Sequence, residues 1–144
     1  MTLLLAHPSW SVCVSSKFAN LREKPSTKAR KTWVVGKYMP LRKISRKGNW
    51  LKVKDVDGVT HWVYAGAITR SYRCMVVNAA YATLRTGPGV HYPKAAIEVA
   101  DRYMPFRKLD KRDGWFHLQD SYGKKYWVHG KLVWEPIITQ RVSF

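Results

Sequence analysis

Short runs along the chain alternate apolar and polar side chains. In residues 50–54, Leu51 and Val53 fall on one side, while Trp50, Lys52 and Lys54 fall on the other. A strand sends successive side chains to opposite faces, so the apolar pair faces a core. Residues 115–119 repeat the pattern, with Phe116 and Leu118 set against Trp115, His117 and Gln119. Ala19 with Leu21, Met39 with Leu41, Ala82 with Leu84, and Met104 with Phe106 make further inward pairs. The phase then slips, because Ile44 and Leu109 are apolar where alternation requires solvent. A slip of this kind predicts a bulge or sharp bend. Asp57-Gly58 and Tyr122-Gly123 read as hairpin turns into strands at residues 59–64 and 124–129. No window carries a helical stripe, so the chain reads as all-β.

The chain also contains itself twice. Phe18-Ala19-Asn20-Leu21-Arg22 aligns with Tyr81-Ala82-Thr83-Leu84-Arg85 at an offset of 63. From Lys37-Tyr38-Met39-Pro40 against Arg102-Tyr103-Met104-Pro105 onward the offset is 65, and it pairs Trp50 with Trp115 and Trp62 with Trp127. The change falls between Pro25 and Val34 and predicts a longer loop in the second copy. Two units follow, residues 12–70 and 75–136, with a linker at 69–74 and a tail at 137–144. Units this small bury only about 60% of their unfolded surface, so docking of one on the other would help both. Their short strands and bends predict two tandem small β-barrels.

The repeated set of motifs resembles the bacterial SH3-like (SH3b) domain. The first copy carries Asn20-Leu21-Arg22, Asn49-Trp50, Asp57-Gly58 and His61-Trp62-Val63. The second carries Leu84-Arg85, Gly87-Pro88-Gly89, Gly114-Trp115, Tyr122-Gly123 and Tyr126-Trp127-Val128. The first copy departs at the Gly-Pro-Gly corner, where Lys24 and Ser26 flank Pro25. The resemblance implies five- to six-stranded SH3-like barrels, an exported, periplasmic or cell-envelope protein, and binding to cell-wall peptide or glycan. The catalytic hydrolase domain that often accompanies such modules has no counterpart in the sequence.

Composition narrows the partner. Lys and Arg number 26 against 9 Asp and Glu, a formal charge of +17. Such a surface suits a polyanion. Residues 14–70 carry 14 cations and 3 acids, and residues 71–144 carry 12 and 6. Arg42, Lys43, Arg46 and Lys47 crowd one turn, mirrored by Arg107, Lys108, Lys111 and Arg112. The bland reading of any such run is a solvated face, and its repetition favours an anion-facing patch. Residues 1–11 read as the remnant of an export signal, with Leu3-Leu4-Leu5-Ala6 and a small-x-small Ser9-Trp10-Ser11 but no cation before Lys17. The competing reading is a plain first strand with Trp10, Val12 and Val14 alternating.

Candidate chemistry is sparse. Cys13 and Cys74 have no histidine close in sequence, so they read as a disulfide in an exported protein or as two buried thiols. The five histidines lack metal-ligand spacing and there is no phosphate-cradling loop, so no metal or cofactor is expected. The nine acids are scattered, and the chain reads as a non-enzyme. Trp50 and Trp115 come out on the polar face, either as lids or as stacking platforms. Tyr38 and Tyr103 lie opposite the inward methionines and would complete an aromatic groove, with Tyr92 as a free aromatic and Arg42 and Arg107 on the rim. The expected function is a non-catalytic envelope module that docks on peptidoglycan or another anionic wall polymer. The alternatives are an adaptor for single-stranded nucleic acid or one for an extended peptide.

Overall fold

The computed structural model describes residues 10–136. The export-signal reading and the 137–144 tail therefore lie almost wholly outside the described residues. Seven strands form the first sheet: β1 (Ser11–Val14), β2 (Phe18–Arg22), β3 (Lys31–Gly36), β4 (Pro40–Lys47), β5 (Trp50–Lys54), β6 (Thr60–Tyr64) and β7 (Ile68–Thr69). Seven more form the second: β8 (Cys74–Val77), β9 (Tyr81–Arg85), β10 (Lys94–Asp101), β11 (Pro105–Arg112), β12 (Trp115–Gln119), β13 (Lys125–His129) and β14 (Val133–Trp134). The strand orders are β3-β2-β6-β5-β4-β1-β7 and β10-β9-β13-β12-β11-β8-β14, the same path walked twice. Every recorded pair is antiparallel. No ladder among the described residues joins the two edges of either sheet, so each is an antiparallel sheet and not a closed ring of strands. One apolar cluster nevertheless draws Val12, Leu21, Val35, Leu41, Val53 and Val63 together from six strands, which a single layer achieves only by curling.

Alternation places the core as the chemistry requires. Leu51 and Val53 are buried, as are Ala19, Leu21, Met39, Leu41, Ala82, Leu84, Phe106 and Leu118. Phe116 and Met104 are only partly buried against the second cluster. The register of β4 on β5 shifts between Lys43 and Ser45, and that of β11 on β12 between Lys108 and Asp110. The residues inside these bulges are Ile44 and Leu109, 39% and 37% exposed, so the slipped phase in the sequence marks two matching bulges. The extra two residues of the second copy do not lengthen a loop. They enlarge a bulge in β10, which advances from Lys94 to Val99 while its partner moves only from Arg85 to Thr83. In the first copy β3 advances only from Lys31 to Trp33 as β2 moves from Arg22 to Leu21.

A buried aspartate organises the same hairpin in each sheet. Asp55 Oδ1 accepts from the backbone N–H of Asp57 (2.9 Å) and Val59 (3.0 Å). Asp120 Oδ1 accepts from those of Tyr122 and Lys124, both at 2.9 Å. Gly58 and Gly123 take the left-handed conformation that closes each turn, at φ 83° and 86°. The second carboxylate oxygen then holds the following strand: Asp55 Oδ2 meets His61 Nε2 at 2.7 Å, and Asp120 Oδ2 accepts from the Tyr126 hydroxyl at 3.1 Å. Burial, and then the Asp120 carboxylate, raise the Tyr126 pKa above its ordinary 10.0.

The two sheets meet along β1 and β8. All four residues of each strand are buried, so neither alternates. The inner side of β1 faces its own core, and its other side carries Cys13, which is disulfide-bonded to Cys74 of β8 with Cα atoms 5.9 Å apart. Val76 of β8 and Trp134 of β14 pack into the first sheet's cluster. Val12 and Val14 thus face the core as alternation expects while Trp10 is exposed, and the opposite side of β1 meets the second sheet in place of solvent.

Measurements of stability, free thiols and titration check this architecture. Replacing both cysteines with serine lowers the free energy of unfolding in urea by about 2–4 kcal/mol, the usual worth of a long-loop cross-link. Denatured protein titrates no free thiol until it is reduced. Asp120→Ala removes the acceptor for three hydrogen bonds and lowers stability by about 2–4 kcal/mol, while Asp120→Asn costs less because one oxygen remains. His117 stacks on Trp127 at 4.5 Å with planes 6° apart. Burial, and then Lys125, hold its pKa below 6.5. The unfolded chain then binds the proton first as pH falls, so this contribution is complete above 6.5 and declines below it. NMR titration gives a His117 midpoint under 6.5, and His117→Phe flattens the acid limb of the stability profile.

Candidate binding clefts

The aromatic groove expected from the sequence is not assembled. Trp115 is 9% exposed and packs edge-on against His129, with ring centroids 5.1 Å apart. Trp50 is partly buried and meets Tyr64 edge-on at 6.0 Å. Both indoles are outward in the strand sense and covered by a neighbour on the adjacent strand. Tyr92 lies over the backbone of Gly87 and against His91, so the expected free aromatic is packed onto its own loop.

Tyr38 and Tyr103 are drawn to the seam instead. Both adopt left-handed backbone conformations, φ 76° and 74°, which cost a bulky residue about 1–2 kcal/mol. Each donates its backbone N–H at 2.8 Å to the equivalent strand, Tyr38 to Val14 and Tyr103 to Val77. The Tyr38 ring is buried against Cys13, Cys74 and Tyr72. Burial is the main cause of a raised Tyr72 pKa, the Tyr38 phenol adds to it, and Arg107, whose guanidinium sits 4.5 Å from the Tyr72 ring centre, opposes it. Arg107 therefore belongs to the seam. Arg42, its counterpart, is half-buried at the matching position of β4.

The Tyr103 ring crosses to the first sheet. It meets Trp33 edge-on at 5.3 Å, and its hydroxyl donates to Asp57 Oδ2 at 2.7 Å. That bond to a carboxylate is the largest cause of the raised Tyr103 pKa. Beside this contact opens a cleft of about 330 Å³, lined by Thr32, Trp33, Asp55, Asp57, Val59, His61 and Tyr103. Within its wall Thr32 Oγ1 lies 2.6 Å from His61 Nδ1, and His61 Nε2 lies 2.7 Å from Asp55 Oδ2. With a neutral ring, the threonine hydroxyl donates to the imidazole and the imidazole to the carboxylate. This is the order of a hydroxyl–base–carboxylate relay, and sequence reading missed it. Its signal was a difference between the copies, since His61 stands where the second copy has Tyr126.

A second cleft is formed by residues of the first sheet and its last turn alone. Val12, Lys43, Arg46, Leu51, Ala65, Ile68, Thr69 and Arg70 line about 280 Å³. Arg46 is steadied by donating from Nε to the Gly48 carbonyl at 2.8 Å. Among the described residues no carboxylate forms an ion pair with Lys43, Arg46 or Arg70. The second sheet treats the matching position differently. Arg70 becomes Glu135 at the offset of 65. Glu135 is 6% exposed and pairs with Lys108, the counterpart of Lys43, at 2.8 Å and with Arg73 at 3.1 Å. The second copy thus carries a carboxylate of its own on the cation that the first copy leaves open.

Among the described residues no group of His, Cys, Asp and Glu could hold a metal ion, and no helix is long and apolar enough to cross a membrane. No curated protein matches the sequence. Solved structures similar to the chain include NlpC2 from Trichomonas vaginalis, at 8% identity and a TM-score of 0.39 over 88% of this chain and 48% of that one. NlpC1 from the same organism is similar at 8% identity and a TM-score of 0.39, over 92% and 47%. A NlpC/P60 family protein from Bacillus cereus is similar at 11% identity and a TM-score of 0.36, over 87% and 56%. The chain spans about half the length of these structures. Residues 15–69, which run from the end of β1 through β7, match the family model described as Bacterial SH3 domain.

Proposed function

We propose that the protein is a non-catalytic binding module of the cell envelope, in which residues 12–70 and 75–136 act as two SH3-like barrels and the first takes an anionic group of the wall. The bacterial SH3 match over residues 15–69 supports the setting. One observation carries the site: Glu135 occupies in the second copy the position that Arg70 leaves cationic in the first. A buried carboxylate on Lys108 is an internal copy of the ligand that Lys43, Arg46 and Arg70 would receive from outside. The matching chemistry is a carboxylate of a stem peptide or an acidic group of a wall polymer, held by charge-assisted hydrogen bonds.

No bond is made or broken in this reading. The Thr32–His61–Asp55 chain is scaffolding, because Asp120 and Tyr126 hold the same hairpin in the second copy without a base. The basic turns at Arg46–Lys47 and Lys111–Arg112 are exposed in both copies and extend the attraction beyond the cleft. Such exposed charges are screened over about 8–10 Å at ordinary salt, so binding weakens as salt is added.

Co-sedimentation with purified sacculi tests the proposal. Arg70→Glu gives the first copy its own carboxylate, and the affinity falls by about tenfold or more. Arg70→Ala weakens binding less, since it removes a cation without supplying a competitor. Undiminished sedimentation of Arg70→Glu overturns the site. Salt-sensitive binding to single-stranded oligonucleotides, with none to sacculi, overturns the envelope reading in favour of nucleic acid.

A further inference from the structure

The seam cleft has the opposite chemistry to the basic one, and the proposed wall contact does not use it. Trp33 and Tyr103 stand edge to face at 5.3 Å on its walls. Asp57, at its lip, is exposed and accepts the Tyr103 hydroxyl on one oxygen. Among the described residues no Lys, Arg or His forms an ion pair with Asp57. What sets Asp57 apart from the other acids is its place beside two aromatic rings at the mouth of a cleft.

We propose that this cleft is a binding site for a primary ammonium group carried on an alkyl stem, such as a lysine-type side chain of a peptide. A carboxylate accepts up to four hydrogen bonds, so Asp57 can keep Tyr103 and still receive an ammonium. An indole and a phenol beside it offer their negative faces to the cation and their apolar surfaces to the methylene stem. Val59, 52% exposed on the same wall, supplies further apolar surface for the stem. A volume of about 330 Å³ admits one such side chain with its water.

The site also explains the position of Tyr103. Its left-handed backbone directs the ring away from its own sheet and onto the first. Neither copy holds the site alone: Trp33 and Asp57 come from the first and Tyr103 from the second. The counterpart of Tyr103 in the first copy, Tyr38, is closed over by the disulfide and Tyr72, so among the described residues the arrangement occurs once.

The test is an NMR titration of the full chain with Nα-acetyl-lysine methylamide, and in parallel with the same compound acetylated on its ε-nitrogen. The charged probe is expected to give saturable shifts at the Trp33 indole N–H and at the Asp57 and Gly58 amides, and the neutral probe binds about tenfold more weakly. Asp57→Asn keeps the turn, because the hairpin bonds use its backbone N–H, and weakens the charged probe about tenfold with only a small drop in unfolding midpoint, since the amide oxygen still accepts from Tyr103. Trp33→Leu, a second variant, weakens the same probe severalfold. Asp113→Asn, a control away from the cleft, changes nothing. Equal binding of the two probes, shifts at other carboxylates instead of these positions, or no saturable shift up to about 20 mM probe would each overturn the proposal.

Discussion

Neither sheet can bury its first strand without the other. β1 and β8 are covered on both faces, and the second cover of each comes from across the seam. A sheet of about 55 residues has too little surface to do this alone. The seam supplies it with a Cys13–Cys74 bond, a buried Tyr38, a Tyr103 that crosses over, and Val76 seated in the neighbouring core. The left-handed backbone at two tyrosines follows from the same need. A tyrosine in ordinary geometry at that turn would send its ring elsewhere, and the strain at each is offset by aromatic burial at the join.

The two sheets follow one pattern and differ in detail. The strand order, the two bulges and the aspartate-centred hairpin are shared. What differs is chemistry at a few matched positions. His61 replaces Tyr126 on the hairpin, and Arg70 faces Glu135 across the offset. The second change decides charge: one copy neutralises its own cation, and the other presents it. A duplicated sheet can diverge in this way because each swap alters a rim or a hydrogen bond without disturbing the alternating apolar positions beneath.

Those alternating positions are why so much of the fold was legible. Leu51 with Val53 and Met39 with Leu41 announce an inward face, and Ile44 and Leu109 announce the bulges, because period-two geometry is local. Burial from outside a unit leaves no such mark. It shows instead as the unbroken apolar runs Val12-Cys13-Val14 and Met75-Val76-Val77, whose second buried side alternation alone does not reveal. The extra residues of the second copy looked like loop because a three-residue surplus inside β10 has no pattern of its own. The candidate groove failed for a related reason. Facing outward from a strand does not mean facing water, since Tyr64 and His129 cover Trp50 and Trp115. The clefts themselves were hidden in tertiary contacts, although comparing the copies position by position picks out His61, Arg70 and Glu135.

Of the differences between the two sheets, the proposed function turns on the one at Arg70 and Glu135, where the second sheet engages its own cations and the first does not. The most direct measurement follows side-chain nitrogen resonances while a soluble wall fragment bearing free carboxylates is added. Lys43 and Arg70 are expected to shift together and saturate, while Lys108 and Arg73, already engaged by Glu135, stay still. Equal movement of Lys108 and Arg73, or stillness at Lys43 and Arg70, would contradict it.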